Sequence, residues 1–409
     1  MPPGSLGIAL RDPLPLPSPA ASVAEVSFYH PGYEFPHDLL FKLPKLDQEH
    51  SSPTKGIHYG TALAACQIVA NNADGYLATD RTGQHRVNCE FDDVLTRNKY
   101  WFFVVGASTE GGLHAKSPYP IVPSFQDWPF PHQDQDDDQN STPLKGWLRN
   151  WHQPNAAITG RCIITQASGL IEAVHLIPDA EREWFERNAM SQYGVHHDVD
   201  QSINKIDLRS DIRKAFDDHW FTVVPKAGSY AVHLLVATKI STREFAEHFH
   251  NRPVLQQAPT TTGLPRDVPR EFLYARFARA VLLLLKPFVA QSAVSRRVAR
   301  YRVQSQGRPG GEAEAGGNGP RIHVEWLSSE ELRRQYDGGG TRSASPSKRK
   351  RGQGPEQENN NDSDEEEYIE DDTIIRRKII DDFLEEEPER GRSRKRPCYD
   401  NRLRRDELR

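Results

Sequence analysis

Residues 162–178 read CIITQASGLIEAVHLIP, and residues 204–225 read NKIDLRSDIRKAFDDHWFTVVP. The first segment alternates apolar and polar residues in two strand-like runs, Cys162–Thr165 and Leu170–Ile177. The turn signal Ala167–Ser168–Gly169 separates them, so the pattern predicts a β-hairpin. The second segment opens on Asn204, passes a Ser210 suited to capping, and enters a short amphipathic helix. Ile212 and Phe216 share its apolar face at i, i+4 spacing. Trp220–Val224 reads as a strand closed by Pro225. The predicted order is strand, turn, strand, excursion, Asn, helix.

The contexts EAVHLIP around His175 and NKIDLRSD after Asn204 carry a resemblance. Together they resemble the HNH endonuclease family, in particular the variety common in fungi. The finger is well covered, and a looser likeness extends over residues 25–290. The resemblance implies a ββα-metal finger with a His on the second strand, an Asn opening the third segment and a last His on the helix. It also implies His175 as general base and Asn204 as the orienting residue. The expected fold is α+β: a ββα-metal finger embedded in a larger α+β domain, with an N-terminal β-rich unit and a disordered C-terminal tail.

The residue types suit phosphodiester hydrolysis. A neutral imidazole is a suitable base near neutral pH. A cation offsets the charge that builds on the phosphate, and the resemblance implies a divalent metal, Mg2+, Mn2+ or Zn2+. The family's last His falls at Arg213 in this chain. A guanidinium has no free lone pair and cannot ligate a metal. Three readings compete. Arg213 contacts phosphate directly, or it pairs with Asp217 one turn on, or Asp211, Asp217 or His219, with Asp218 beside them, supply metal ligands instead.

The remaining chain sorts by composition. It is 36% hydrophobic with a net charge of −5, so overall charge does not announce a nucleic-acid binder. The mean hydropathy of −0.71 leaves room for globular domains plus substantial disorder. The cysteines lack any C-x-x-C pair, which excludes a zinc ribbon and favours free thiols in a reducing compartment. The apolar runs are too short for a membrane span. Residues 1–22 read as a Pro-rich flexible leader without signal-peptide character.

Residues 23–130 read as a separate β-rich or α+β unit. Strands are expected at Val26–Tyr29, Leu39–Leu43 and Tyr100–Val105, and a buried helix at Tyr59–Asn71. Tyr119–Trp128 reads as a linker packed on the finger, with a binding loop as the alternative. Residues 131–146 are an acidic linker, and Trp147 and Trp151 flank a short helix leading into the HNH-like domain, 147–300. Ala180–Tyr193 predicts one amphipathic helix inside the finger, and the His196–His197–Asp198 loop is a weak metal candidate. His233 reads as a packed residue on a strand Tyr230–Ala237. Val268–Gln291 predicts a long buried helix bent or ended at Pro287, with Arg276 and Arg279 facing solvent or DNA. Residues 301–409 are a low-complexity, mixed-charge tail in which Ile322–Tyr336 reads as an isolated helix. Basic clusters at 348–351 and 390–396 point to a nuclear destination, with the cytoplasm as the default. Ile374–Leu384 reads as a protein-partner segment.

The expected partner is nucleic acid, DNA first, with protein partners through the tail and no membrane. The expected function is metal-dependent hydrolysis of DNA, impaired to the extent that Arg213 replaces a ligand. The alternative is a catalytically inactive nucleic-acid-binding or nuclear scaffold protein on the same fold.

Overall fold

Alternation decides the first strands. Val26 and Phe28 are fully buried while their neighbours face outward, so Glu25–Tyr29 (β1) lies with one face on a core. In the computed structural model β1 pairs antiparallel with Leu39–Pro44 (β2). Asp47–Gln48 (β3) and Lys55–His58 (β4) follow, and β4 runs directly into a helix, Tyr59–Val69 (α1). Small residues dominate α1, and nearly all of it is buried. Gly60 shows why: a Cβ there would meet the Phe91 ring at 2.6 Å. Next come Gly75–Ala78 (β5), Val94–Leu95 (β6) and Lys99–Val104 (β7). The main sheet has the order β2-β1-β7-β5, with β7 parallel to β1; β3, β4 and β6 form a smaller one. The structure describes residues 22–49, 52–106, 118–132, 147, 160–254, 268–291, 293–303 and 320–337.

The finger departs from the expected hairpin. Cys162–Thr165 is a turn, not a strand. Its backbone closes on itself, with Cys162 N–H donating to Ala167 O at 2.9 Å and Gln166 N–H to Cys162 O at 2.9 Å. The partner of Ile171–His175 (β8) is Lys205–Arg209 (β9), which lies beyond the excursion. The excursion is not one helix. Trp184 and Phe185 are buried on Arg182–Arg187 (α2), short 3-10 turns stand before and after it, and Ala189 breaks the run at φ 47°. The helix Ser210–Asp217 (α3) then buries Ile212 and Phe216 as expected. Ser210 does not cap it; its hydroxyl donates to Leu170 O at 3.1 Å and ties the helix start to the entry of β8.

Pro225 does not end the next strand. Phe221–Lys226 (β10) runs through it and pairs with Ser229–Leu234 (β11). Ala227 and Gly228, at φ 47° and 77°, form the two-residue turn that this hairpin twist favours. Ile240–Phe249 (α4) follows, then Arg270–Leu284 (α5) and Lys286–Ala290 (α6), which meet at the expected break with Pro287 in the first turn of α6. Arg276 and Arg279 on α5 are turned into the protein rather than out to solvent. Arg276 is buried, donates to Phe216 O and stacks 3.8 Å from the Phe216 ring centre; burial lowers its pKa to about 9. Arg279 bonds Glu181 at 3.0 Å and also meets His219. These contacts fix α5 against α3 and the excursion.

The expected packing of Tyr119–Trp128 is present. Trp128 stacks 5.8 Å from Trp184, whose Nε1 donates to Trp128 O at 2.7 Å. Trp147 stacks on Phe277 of α5 at 4.9 Å. Ile322–Tyr336 is not a helix throughout: Arg296–Val303 (β12) pairs with Pro320–Leu327 (β13), and only Ser329–Leu332 (α7) and the turn after it are helical. Among the described residues no helix is long and apolar enough to cross a membrane. The leader, residues 133–146, Trp151 and the tail from residue 338, with both basic clusters and Ile374–Leu384, lie outside the described residues.

Candidate functional site

Asn204 is fully buried between the end of β8 and the excursion loop. Its Nδ2 donates to Ile177 O and to Val199 O, each at 2.8 Å, and its Oδ1 accepts from Ile177 N–H at 3.0 Å. Its backbone carbonyl accepts from Leu176 N–H at 2.9 Å. Both amide protons and the carbonyl are therefore used, and Asp or Leu at this position would leave buried partners unsatisfied. The clamp grips the two residues that follow His175, so it sets where that imidazole stands.

The strand register sorts the ribbon into two faces. Val174, opposite Ile206, and Glu172, opposite Leu208, lie on the face covered by α3. Ile171, Ala173 and His175 lie on the other, with Arg209, Asp207 and Lys205 opposite them. His175 keeps 28% of its side chain exposed, and its Nε2 bonds Asp200 Oδ1 at 2.8 Å. The Lys205 ammonium bonds the same oxygen at 2.6 Å. Those two contacts, Lys205 first, hold the Asp200 carboxyl below the usual carboxylate range. A carboxylate on Nε2 assigns the imidazole proton to that nitrogen, which leaves the Nδ1 lone pair free. Asp200 is itself positioned: its N–H donates to Asp198 Oδ1 at 3.0 Å, and Arg182 holds Asp198 at 2.6 Å.

The other expected site residues are spread out. Arg213 donates to Glu172, on the α3 side of the ribbon, and to Asp217 at 3.2 Å. Asp211 is bound by both nitrogens of the Arg209 fork at 2.6 and 2.7 Å. His219 faces inward to Arg279; burial, with the charges of Arg276 and Arg279, pulls it well below the ordinary histidine range. The structure thus brings His175 and Asn204 together and leaves Asp211, Asp217 and His219 in separate contacts. His196 and His197 are exposed, and Asp198 serves Arg182. Sequence reasoning missed Asp200 and Lys205. The available signal was the period-two run Lys205–Arg209, which sets Lys205 across from His175 once β9 is recognised as a strand.

Residues 157–224 match the family model for HNH endonuclease. This segment belongs to the HNH endonuclease family. The match takes in β8, β9, α3 and the start of β10. No curated protein and no solved structure matches the chain.

HNH domains typically use a divalent metal. Within the described part of the HNH segment, no three ligating side chains converge; His175 and Asp200 are the pair that meets. The donor set does not form a three-ligand cradle there. Among the described residues one group has ligand atoms all within 4.8 Å: Asp47, His233 and His250, on β3, on β11 and just past α4. Its hydrogen bonds run the wrong way for a metal. His250 Nδ1 accepts from Leu234 N–H at 3.2 Å, so its Nε2 carries the proton and donates to Asp47 Oδ1 at 3.0 Å. A metal-bound imidazole instead donates from its far nitrogen. The Lys226 ammonium already fills the centre, bonding Asp47 Oδ1 at 2.6 Å and His233 Nδ1 and Asn251 Oδ1 at 2.8 Å each. All three of its protons are used. Burial raises the Asp47 carboxyl, but Lys226 and His250 more than offset that and hold it well below the usual range. Burial also pulls His233 far down. The cluster is an ammonium cage that staples β3 to the β10–β11 hairpin.

Proposed function

We propose that the chain is an HNH-type nuclease that hydrolyses phosphodiester bonds of DNA, with His175 as general base. The observation that carries this reading is the accessible imidazole at the end of β8. Asn204 fixes its backbone, and Asp200 bonds its Nε2. The free Nδ1 takes a proton from water as the water oxygen bonds phosphorus. The bond from phosphorus to the leaving nucleoside oxygen breaks, and that oxygen takes a proton from solvent. Asp200 stabilises the imidazolium that forms. Asn204 touches no reacting atom and acts as the positioning residue.

A second reading has its own support. Arg213 stands where the resemblance implies a ligand, and its guanidinium is committed to Glu172 and Asp217. That favours an inactive nucleic-acid-binding module. The two basic clusters of the tail support a nuclear destination under either reading.

Nicking of supercoiled plasmid by the purified full chain, with Mg2+, with Mn2+ and with chelator, decides between them. The nuclease reading expects cleavage that His175→Ala lowers by about 10²–10⁴-fold. Salt-sensitive DNA retention without cleavage in any condition gives the binding module instead.

A further inference from the structure

We infer that Lys205 supplies the positive charge that meets the phosphate beside His175. The inference rests on the nucleic-acid reading of this site and names the residue that serves as its cation. Four observations converge on it.

Register sets Lys205 directly opposite His175, on the ribbon face away from α3. Both side chains reach one oxygen, Asp200 Oδ1, at 2.6 and 2.8 Å, so a phosphate attacked by the water that His175 deprotonates lies within reach of the ammonium. Two other finger cations are engaged away from this point: Arg209 with both oxygens of Asp211, Arg213 with Glu172 and Asp217 on the α3 side. Finally, among the described residues no three-ligand metal cradle lies near His175.

The chemistry fits an ammonium. It is a compact charge with three donors on a flexible stem. One donor stays on Asp200 while another takes a non-bridging phosphate oxygen. Asp200 then aligns base and cation together, held from behind by Asp198 and Arg182. An ordinary surface ion pair would also explain the Lys205–Asp200 contact, so the test must read phosphate rather than stability.

Lys205→Met and Lys205→Gln are compared with Lys214→Met, which removes the same charge from an exposed position on α3. Plasmid nicking is measured with Mg2+ and with chelator, on proteins shown to be folded by their melting curves. Using both Lys205 variants guards against one failing to fold. The inference expects each Lys205 variant to cleave at least tenfold more slowly than Lys214→Met in whichever condition supports cleavage, with Lys205→Arg retaining most of the rate. Equal rates for the Lys205 variants and Lys214→Met overturn it. If no protein cleaves, the nuclease reading has failed, and Lys205 is judged by binding of a short DNA duplex. Expected then is a several-fold weaker affinity for Lys205→Met than for Lys214→Met, with a salt slope reduced by about one. Matching affinities and slopes overturn the inference.

Discussion

The molecule gathers an aspartate, a lysine and a histidine twice, once inside with a second histidine added and once outside. In the interior, Asp47 holds Lys226 with His233 and His250, and each of these side chains is at most 9% exposed. At the surface, Asp200 holds Lys205 and His175 with side-chain exposures of 57, 24 and 28%. The difference teaches what burial does to identical chemistry. Inside, each ammonium proton has a fixed acceptor, His250 has a fixed tautomer, and no face is left for a substrate. Outside, one carboxylate oxygen aligns an imidazole and an ammonium, and both stay partly exposed. The first group is a staple between segments far apart in sequence, and the second is the group we propose as the site.

Breaking the outer trio should leave the fold intact, and breaking the inner one should not. The largest effect on rate is expected from His175→Ala, with cleavage down by about 10²–10⁴-fold and the melting temperature unchanged. The largest effect on stability is expected from Asp47→Ala. It strands a buried ammonium and should cost about 3–5 kcal/mol, measured by urea unfolding. Asp200→Asn keeps the shape but loses the charge that supports the imidazolium. Its cleavage rate should fall by about tenfold to a hundredfold with little change in melting.

Acid provides a sharper test of the inner trio. The folded-state pKa values of His233 and His250 are depressed, first by burial, so they contribute stability above the unfolded value near about 6.5 and lose it as pH falls. Asp47 is also depressed, and its contribution is lost below about pH 4. Melting temperature should therefore fall as pH drops below about 6.5 and more steeply below about 4, and His233→Ala should flatten the fall above pH 4. The smallest effect is expected from Arg213→Ala. Its ion pairs are about half exposed, so the change in stability should stay within about 1 kcal/mol.

The sequence singled out His175 and Asn204, which the structure sets at one strand end, because their local contexts are distinctive and the clamp acts over a few residues. It showed β1, β2 and β7 because each is a short run of strand-forming residues, and α1 because small apolar residues of high helix propensity run through it. It misread Cys162–Thr165 because an apolar run before a turn looks like a strand, and local pattern cannot say that the partner of β8 lies beyond Asn204. The same limit hid Asp200 and Lys205, whose relation to His175 exists only through the β8–β9 register. Asp47 and Lys226 lie 179 residues apart, and nothing near either one names the other. The misreading of Ile322–Tyr336 was avoidable. Ile322, Val324 and Trp326 alternate as a strand does, and the Ser328–Glu331 capping box marks where the helix begins.

The central claim is that the outer trio does chemistry and the inner one holds the fold. The most direct test is the plasmid-nicking rate of full-length His175→Ala beside the unaltered chain, on preparations with matched melting curves. The account predicts cleavage by the unaltered chain and a loss of at least a hundredfold in the variant. Equal cleavage by the two proteins would contradict it.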